Sequence, residues 1–111
     1  MIEWARVREL VDEIGAEDFT EVVDLFLQEV DGAIIALDAA GNNPILIEEQ
    51  MHFLKGAALN LGFEALAQLC LKGEKAAKAG RPDVVTLAEI TECYRLSRSC
   101  FEQDLPKRLA A

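Results

Sequence analysis

Three observations predict an all-α protein: an antiparallel four-helix bundle with a short additional N-terminal helix. Apolar residues recur three or four apart through every long segment. Short stop-and-start clusters separate the segments, at Gly15, at Gly41-Asn42-Asn43-Pro44 and at Gly80-Arg81-Pro82-Asp83. No strand-like alternation, internal repeat or low-complexity tract competes with that pattern. Four apolar stripes on short connections are buried most simply by packing the helices up and down against one another.

In order, Trp4, Val7, Leu10, Val11 and Ile14 predict a first helix over residues 2–14, stopped by Gly15 and covering one end of the domain. Asp18-Phe19-Thr20-Glu21 has capping-box spacing with Asp18 in the cap position, so a long helix is expected to start there. Its stripe is Phe19, Val22, Val23, Phe26, Val30, Ala33, Ile34 and Leu37, with Glu21, Asp24, Glu29 and Asp31 turned outward. Asn43 and Pro44 then open a helix to Leu61, and Gly62 breaks it. A further helix from Phe63 to about Ala79 packs through Phe63, Leu66, Ala67, Cys70 and Ala77. The last helix turns Leu87, Ile90, Tyr94, Ser97 and Phe101 inward, and Pro106 is expected to end or kink it.

Composition narrows the function. The 111 residues are read as one domain, 1–111, with no room for an ATP-binding kinase domain. A hydrophobic content of 51% fits a folded chain. Eleven basic against twenty acidic residues give a net charge of −9, which disfavours nucleic acid and anionic membranes as partners. No apolar run approaches the roughly 20 residues a membrane helix needs, and the amino terminus lacks signal-peptide character, so a cytoplasmic location is expected. Cys70, Cys93 and Cys100 are odd in number and form no C-x-x-C pair, which suggests reduced structural thiols and neither a disulfide framework nor a zinc site.

The informative stretch is His52 to Phe63, which holds the chain's only histidine. On a helix, Ile47, Gln50, Met51, Leu54, Ala57, Ala58 and Leu61 fall on one side. His52 projects from nearly the opposite side, on an outward strip with Ile45, Glu48, Lys55, Gly56 and Leu59. An imidazole standing in water keeps a free nitrogen lone pair able to attack an electrophile. Lys55, one turn on, offers a point cation for a phosphoryl group of roughly −2 charge. Gly56 costs the helix about 1 kcal/mol relative to alanine, which suggests that something large must come close. A lone histidine is more often an ordinary surface or structural residue, so its neighbours carry the argument. No other histidine or paired cysteine completes a metal site, and no phosphate-binding loop, Ser-His-Asp set or kinase signature is present.

This stretch resembles the histidine phosphotransfer (Hpt) family. Its motif runs His-x-Leu-Lys-Gly, two small residues, two free positions and Leu-Gly, then an aromatic or small apolar residue. His52, Leu54, Lys55, Gly56, Ala57, Ala58, Leu61 and Gly62 fill the fixed positions, and the similarity continues weakly through Leu66, Ala67, Cys70 and Glu74. The resemblance implies a phosphocarrier, not an enzyme: His52 would accept a phosphoryl group from the aspartyl phosphate of one receiver domain and pass it to another response-regulator aspartate. A hybrid sensor histidine kinase would stand upstream, Mg²⁺ would sit in the receiver, and the carrier would need no cofactor. The position of Glu74 is often Gln or Glu in the family and can contact the histidine ring; the plainer reading is a solvated glutamate at a helix edge. Gly73 sits where many relatives carry a larger apolar residue. Ile45, Glu48, Gly56 and Leu59 would receive a receiver helix, against the plainer reading of Leu59 as an isolated exposed leucine, and a monomer with a transient interface is expected. Two other readings are a non-phosphorylated helical adaptor that binds a receiver and the isolated phosphotransfer domain of a chemotaxis-type kinase. The full match at His52 and Lys55 argues against the first, and a chain running from Met1 to Ala111 against the second.

Overall fold

In the computed structural model, which describes residues 1–110, the chain folds into five helices: α1 (Trp4–Ile14), α2 (Ala16–Ala40), α3 (Pro44–Leu61), α4 (Glu64–Lys78) and α5 (Leu87–Ala110). The long helices α2 to α5 form the bundle, and α1 lies across one end against α2 and α3. The only extended pairing among the described residues is an isolated bridge between Ile2 and Phe63. No helix among them is long and apolar enough to cross a membrane.

Helix α3 is delimited by local chemistry. The Asn43 side chain accepts the N–H groups of Ile45 and Leu46 at 3.1 and 3.3 Å, and Pro44 fills the first turn. At the other end Gly62 adopts the left-handed conformation, φ 75°, and the Phe63 N–H closes back on the Ala58 carbonyl at 2.8 Å. Gly62 is also an approach point. A Cβ there would stand 2.7 Å from the Glu3 carbonyl oxygen, and the Glu3 N–H donates to the Gly62 carbonyl at 2.7 Å.

Three boundaries differ from the sequence expectation. Helix α2 begins at Ala16, so Asp18 lies in its first turn and is not its cap. Gly15, at φ 93°, reverses the chain in one residue, and Glu17 and Asp18 then favour the helix start through the dipole. The capping box is found instead at α5, where the Thr86 hydroxyl accepts the Glu89 N–H at 3.1 Å and the Glu89 carboxylate faces Thr86. The connection before it is anchored by Val85, which is buried. Pro106 does not end α5, which runs on to Ala110. Its ring forfeits only a bond to the carbonyl of exposed Glu102, and the Arg8 guanidinium binds the Arg108 carbonyl at 2.9 Å, holding the last turn in place.

The core lies between the four long helices. Met51, Leu54, Ala58 and Leu61 of α3 and Leu66 and Cys70 of α4 are at most 2% exposed. These two helices approach closely because small residues meet large ones: a Cβ on Gly73 would stand 2.9 Å from the Met51 methyl carbon. Met51 therefore fills the space that a larger residue at position 73 would occupy. At the far end Trp4 stacks parallel on Phe101, 5.9 Å between centroids, and Phe101 meets Phe63 edge-on at 5.4 Å.

Candidate functional site

His52 lies midway along α3, and its side chain is 69% exposed. Its Nδ1 sits 2.7 Å from Oε1 of Glu74 on α4, and Oε2 of the same carboxylate accepts Lys55 Nζ at 2.7 Å. Glu74 thus bridges two α3 side chains one turn apart. Lys55 and Glu74 are partly buried, with side chains 22% and 17% exposed, so their charges are screened less than those of a surface pair.

The electrostatics fix the role of the carboxylate. The Lys55 hydrogen bond, followed by that of His52, holds the Glu74 carboxyl below the usual glutamate range, against the opposing effect of burial. An ionised carboxylate can only accept. Nδ1 therefore donates to Glu74, and in the neutral ring this tautomer leaves the lone pair on Nε2. The arrangement is an exposed imidazole with one ring nitrogen held against a carboxylate and the other left unengaged by it.

Around this centre, no heavy atom outside the local backbone lies within 4 Å of a Cβ built on Gly56, so the surface one turn from His52 is open. Ile45, His52 and Leu59 stand seven residues apart on one row, with Ile45 67% and Leu59 52% exposed; Glu48, between the first two, is partly buried. A second apolar row, Leu46 and Phe53, lies one position on, and both are exposed. Phe53 and Gln50 border a shallow cleft with Glu29, Gly32 and Ala33 of α2. Sequence reasoning missed Leu46 and Phe53, although their own seven-residue spacing parallels the Ile45 row.

Elsewhere the side chains are chemically quiet. The three cysteines are free, and burial pushes the Cys70 thiol up to about 12. Among the described residues no group of three or more His, Cys, Asp or Glu side chains is arranged to hold a metal ion.

Comparison with known proteins finds no match among curated proteins or solved structures. Comparison with protein families matches the Hpt domain over residues 16–103, from the first residue of α2 to the fifth turn of α5, leaving α1 outside. The match spans the exposed histidine and both helices that build its surroundings, and it shows that the chain belongs to the Hpt family, the histidine phosphotransfer domains that act as phosphocarriers in two-component signalling.

Proposed function

We propose that the chain, as a single Hpt domain over residues 1–111, is a phosphorelay intermediate that shuttles a phosphoryl group between receiver aspartates through His52. The observation that carries this reading is the tether between ionised Glu74 and Nδ1 of an exposed ring. With Nδ1 engaged, the Nε2 lone pair forms the N–P bond while the P–O bond to the receiver aspartate breaks and that aspartate leaves as a carboxylate. The positive charge gained by the ring is shared with Nδ1–H, which already faces the Glu74 anion. Delivery to a second receiver is the same step reversed. Glu74 acts here as a positioning residue.

Lys55 contributes twice. It fixes the second oxygen of Glu74, and its ammonium lies on the His52 side of α3, where the charge of an attached phosphoryl group develops. Ile45, Leu59 and Glu48 form the docking strip, and bare Gly56 lets a partner helix approach. Since phosphoryl transfer depends chiefly on positioning and charge neutralisation, the receiver supplies Mg²⁺ and its own acidic centre, and the carrier works without a cofactor. A hybrid sensor histidine kinase feeds the relay, and the carrier acts as a cytoplasmic monomer.

The deciding experiment offers phosphorylated receivers to the wild type and to His52→Gln. The wild type should take up acid-labile, base-stable phosphate, and the variant none, with the same helicity and melting. Labelling retained by His52→Gln refutes the assignment.

A further inference from the structure

The tether stands on a contact one residue earlier on each helix. Met51 directly precedes His52, Gly73 directly precedes Glu74, and these two meet inside the bundle. A Cβ on Gly73 would stand 2.9 Å from the Met51 methyl carbon, 3.0 Å from its sulfur and 3.3 Å from the Val85 Cβ, closer than side chains ordinarily pack. The Met51 side chain therefore takes the volume that residue 73 gives up. Met51 also lines, with Leu37, Ile47, Val85 and Leu87, a cavity of about 280 Å³ between the α2–α3 turn and the start of α5.

The polar contacts beside this pair allow little play. Glu74 reaches two α3 side chains with one carboxylate, at 2.7 Å to His52 Nδ1 and 2.7 Å to Lys55 Nζ, and ordinary N–H···O bonds end near about 3.2 Å. The cavity can take the flexible end of Met51, but a branched side chain on residue 73 would also meet Val85. The excess volume would then be relieved by moving α4 outward, and Glu74 would move with it. Lys55 can follow on its four-carbon stem, whereas the imidazole, two torsions from the backbone, cannot. The His52 bond is the one that a small outward shift breaks first.

We propose that Met51 and Gly73 are a matched large and small pair that sets the reach of the Glu74 carboxylate, and that both are thereby positioning residues for the His52 ring. The inference deepens the carrier reading above, on which its kinetic part rests. With Nδ1 held by Glu74, the neutral ring keeps its lone pair on Nε2. A ring released from Glu74 has no fixed partner to choose its tautomer, so a share of rings would carry hydrogen on Nε2 and be unable to attack through it. Transfer would slow with every reacting group still present.

The test uses the full chain, in which a single histidine makes the ring nitrogens readable by ¹⁵N NMR. In the neutral wild-type ring the shifts should report hydrogen on Nδ1 and a lone pair on Nε2. Gly73→Leu should erase that preference and slow transfer at saturating phosphorylated receiver by about three- to tenfold, while the receiver concentration at half-maximal rate changes by less than about twofold. The effect should follow volume: Gly73→Ala, which displaces only the mobile end of Met51, should slow transfer by less than about twofold. Gly73→Leu/Met51→Ala restores the balance of volumes and should recover both the tautomer and at least about half of the wild-type rate. Adding Gly73→Leu to Glu74→Ala should slow transfer no further, because both act through the same bond.

Gly73→Leu with the wild-type tautomer and rate overturns the proposal, as does a wild-type ring with no preference for hydrogen on Nδ1. A Gly73→Ala effect as large as that of Gly73→Leu overturns it too, because the loss would not track volume. Should Gly73→Leu fail to fold, Gly73→Val is read in its place by the same criteria. A Gly73→Leu/Met51→Ala protein no better than Gly73→Leu, in folding or in tautomer, likewise overturns the pairing. A wild type that no phosphorylated receiver labels refutes the carrier reading, and the tautomer series, read on the unphosphorylated protein, then decides the positioning role by itself.

Discussion

The middle of α3 and its C-terminal end are held by different physics. At its middle, facing α4, the histidine is positioned by two polar side chains, Glu74 and Lys55, through two hydrogen bonds of 2.7 Å at the surface. At its C-terminal end the chain is clamped by apolar and aromatic contact: Phe63 is fully buried against Phe101, Trp4 stacks on Phe101, and the Arg108 guanidinium lies 5.3 Å over the Trp4 ring. The first region is open and exposes the imidazole to solvent, while the second is closed and holds α1 to the bundle. The family match includes the first region and excludes α1. Chemistry and stability can therefore be altered separately in this small protein.

The largest stability effect should come from the junction between the two regions. Gly62→Val places a β-branched residue at φ 75°, against the Glu3 carbonyl, and should cost about 3 kcal/mol in urea unfolding. A neutral result would mean that α1 is not seated there. Trp4→Ala should cost about 2 kcal/mol through lost stacking, cation–π contact and burial, and should leave the phosphotransfer rate of the folded protein unchanged. A matching loss of transfer would break the separation.

Glu74→Ala tests the opposite case. Transfer should slow by about tenfold, or roughly 1.4 kcal/mol of barrier, while stability at neutral pH changes less than in Trp4→Ala. Because the folded Glu74 pKa is depressed, mainly by Lys55, its stabilising contribution is present above the unfolded value of about 4.3 and lost as pH falls through the folded value. The wild type should therefore lose its urea-midpoint advantage over Glu74→Ala on acidification below that point. An advantage that persists there would show that the pair is not ionic.

The smallest effect is expected inside the bundle. The Ser97 hydroxyl is fully buried, with no hydrogen-bond partner of ordinary length and only the weak Cys93 thiol nearby. Ser97→Ala should be neutral or stabilising by under about 1 kcal/mol, measured by thermal melting. A loss of 2 kcal/mol or more would show that the hydroxyl has a partner.

Much of the architecture was legible because it is local. The period of apolar residues identified the face of α3 that is buried at Ile47, Met51, Leu54 and Leu61 and the opposite face where His52 stands exposed. Asn43-Pro44 and Gly62 marked its ends, since a cap or a left-handed turn needs only neighbouring residues. The same logic failed where two local signals competed: Asp18 looked like a cap, yet Gly15 had already started the helix. It also omitted Leu27, which is buried between the residues assigned to the α2 stripe.

What the tertiary structure alone decided are the meetings between helices. Glu74 was ambiguous between a solvated carboxylate and a ring contact because its partners lie 22 and 19 residues away on another helix. Which turn of α4 faces His52 depends on how side-chain volumes interlock, as with Met51 filling the space beside Gly73, and a helical period carries no record of that register. The sequence by itself determined the helices, the outward histidine and the family, because these rest on spacing within one segment. The tether on Nδ1, the Leu46 and Phe53 row beside the cleft with α2, and the docking of α1 through Trp4 required the packed chain, because each depends on the relative translation and rotation of separate helices.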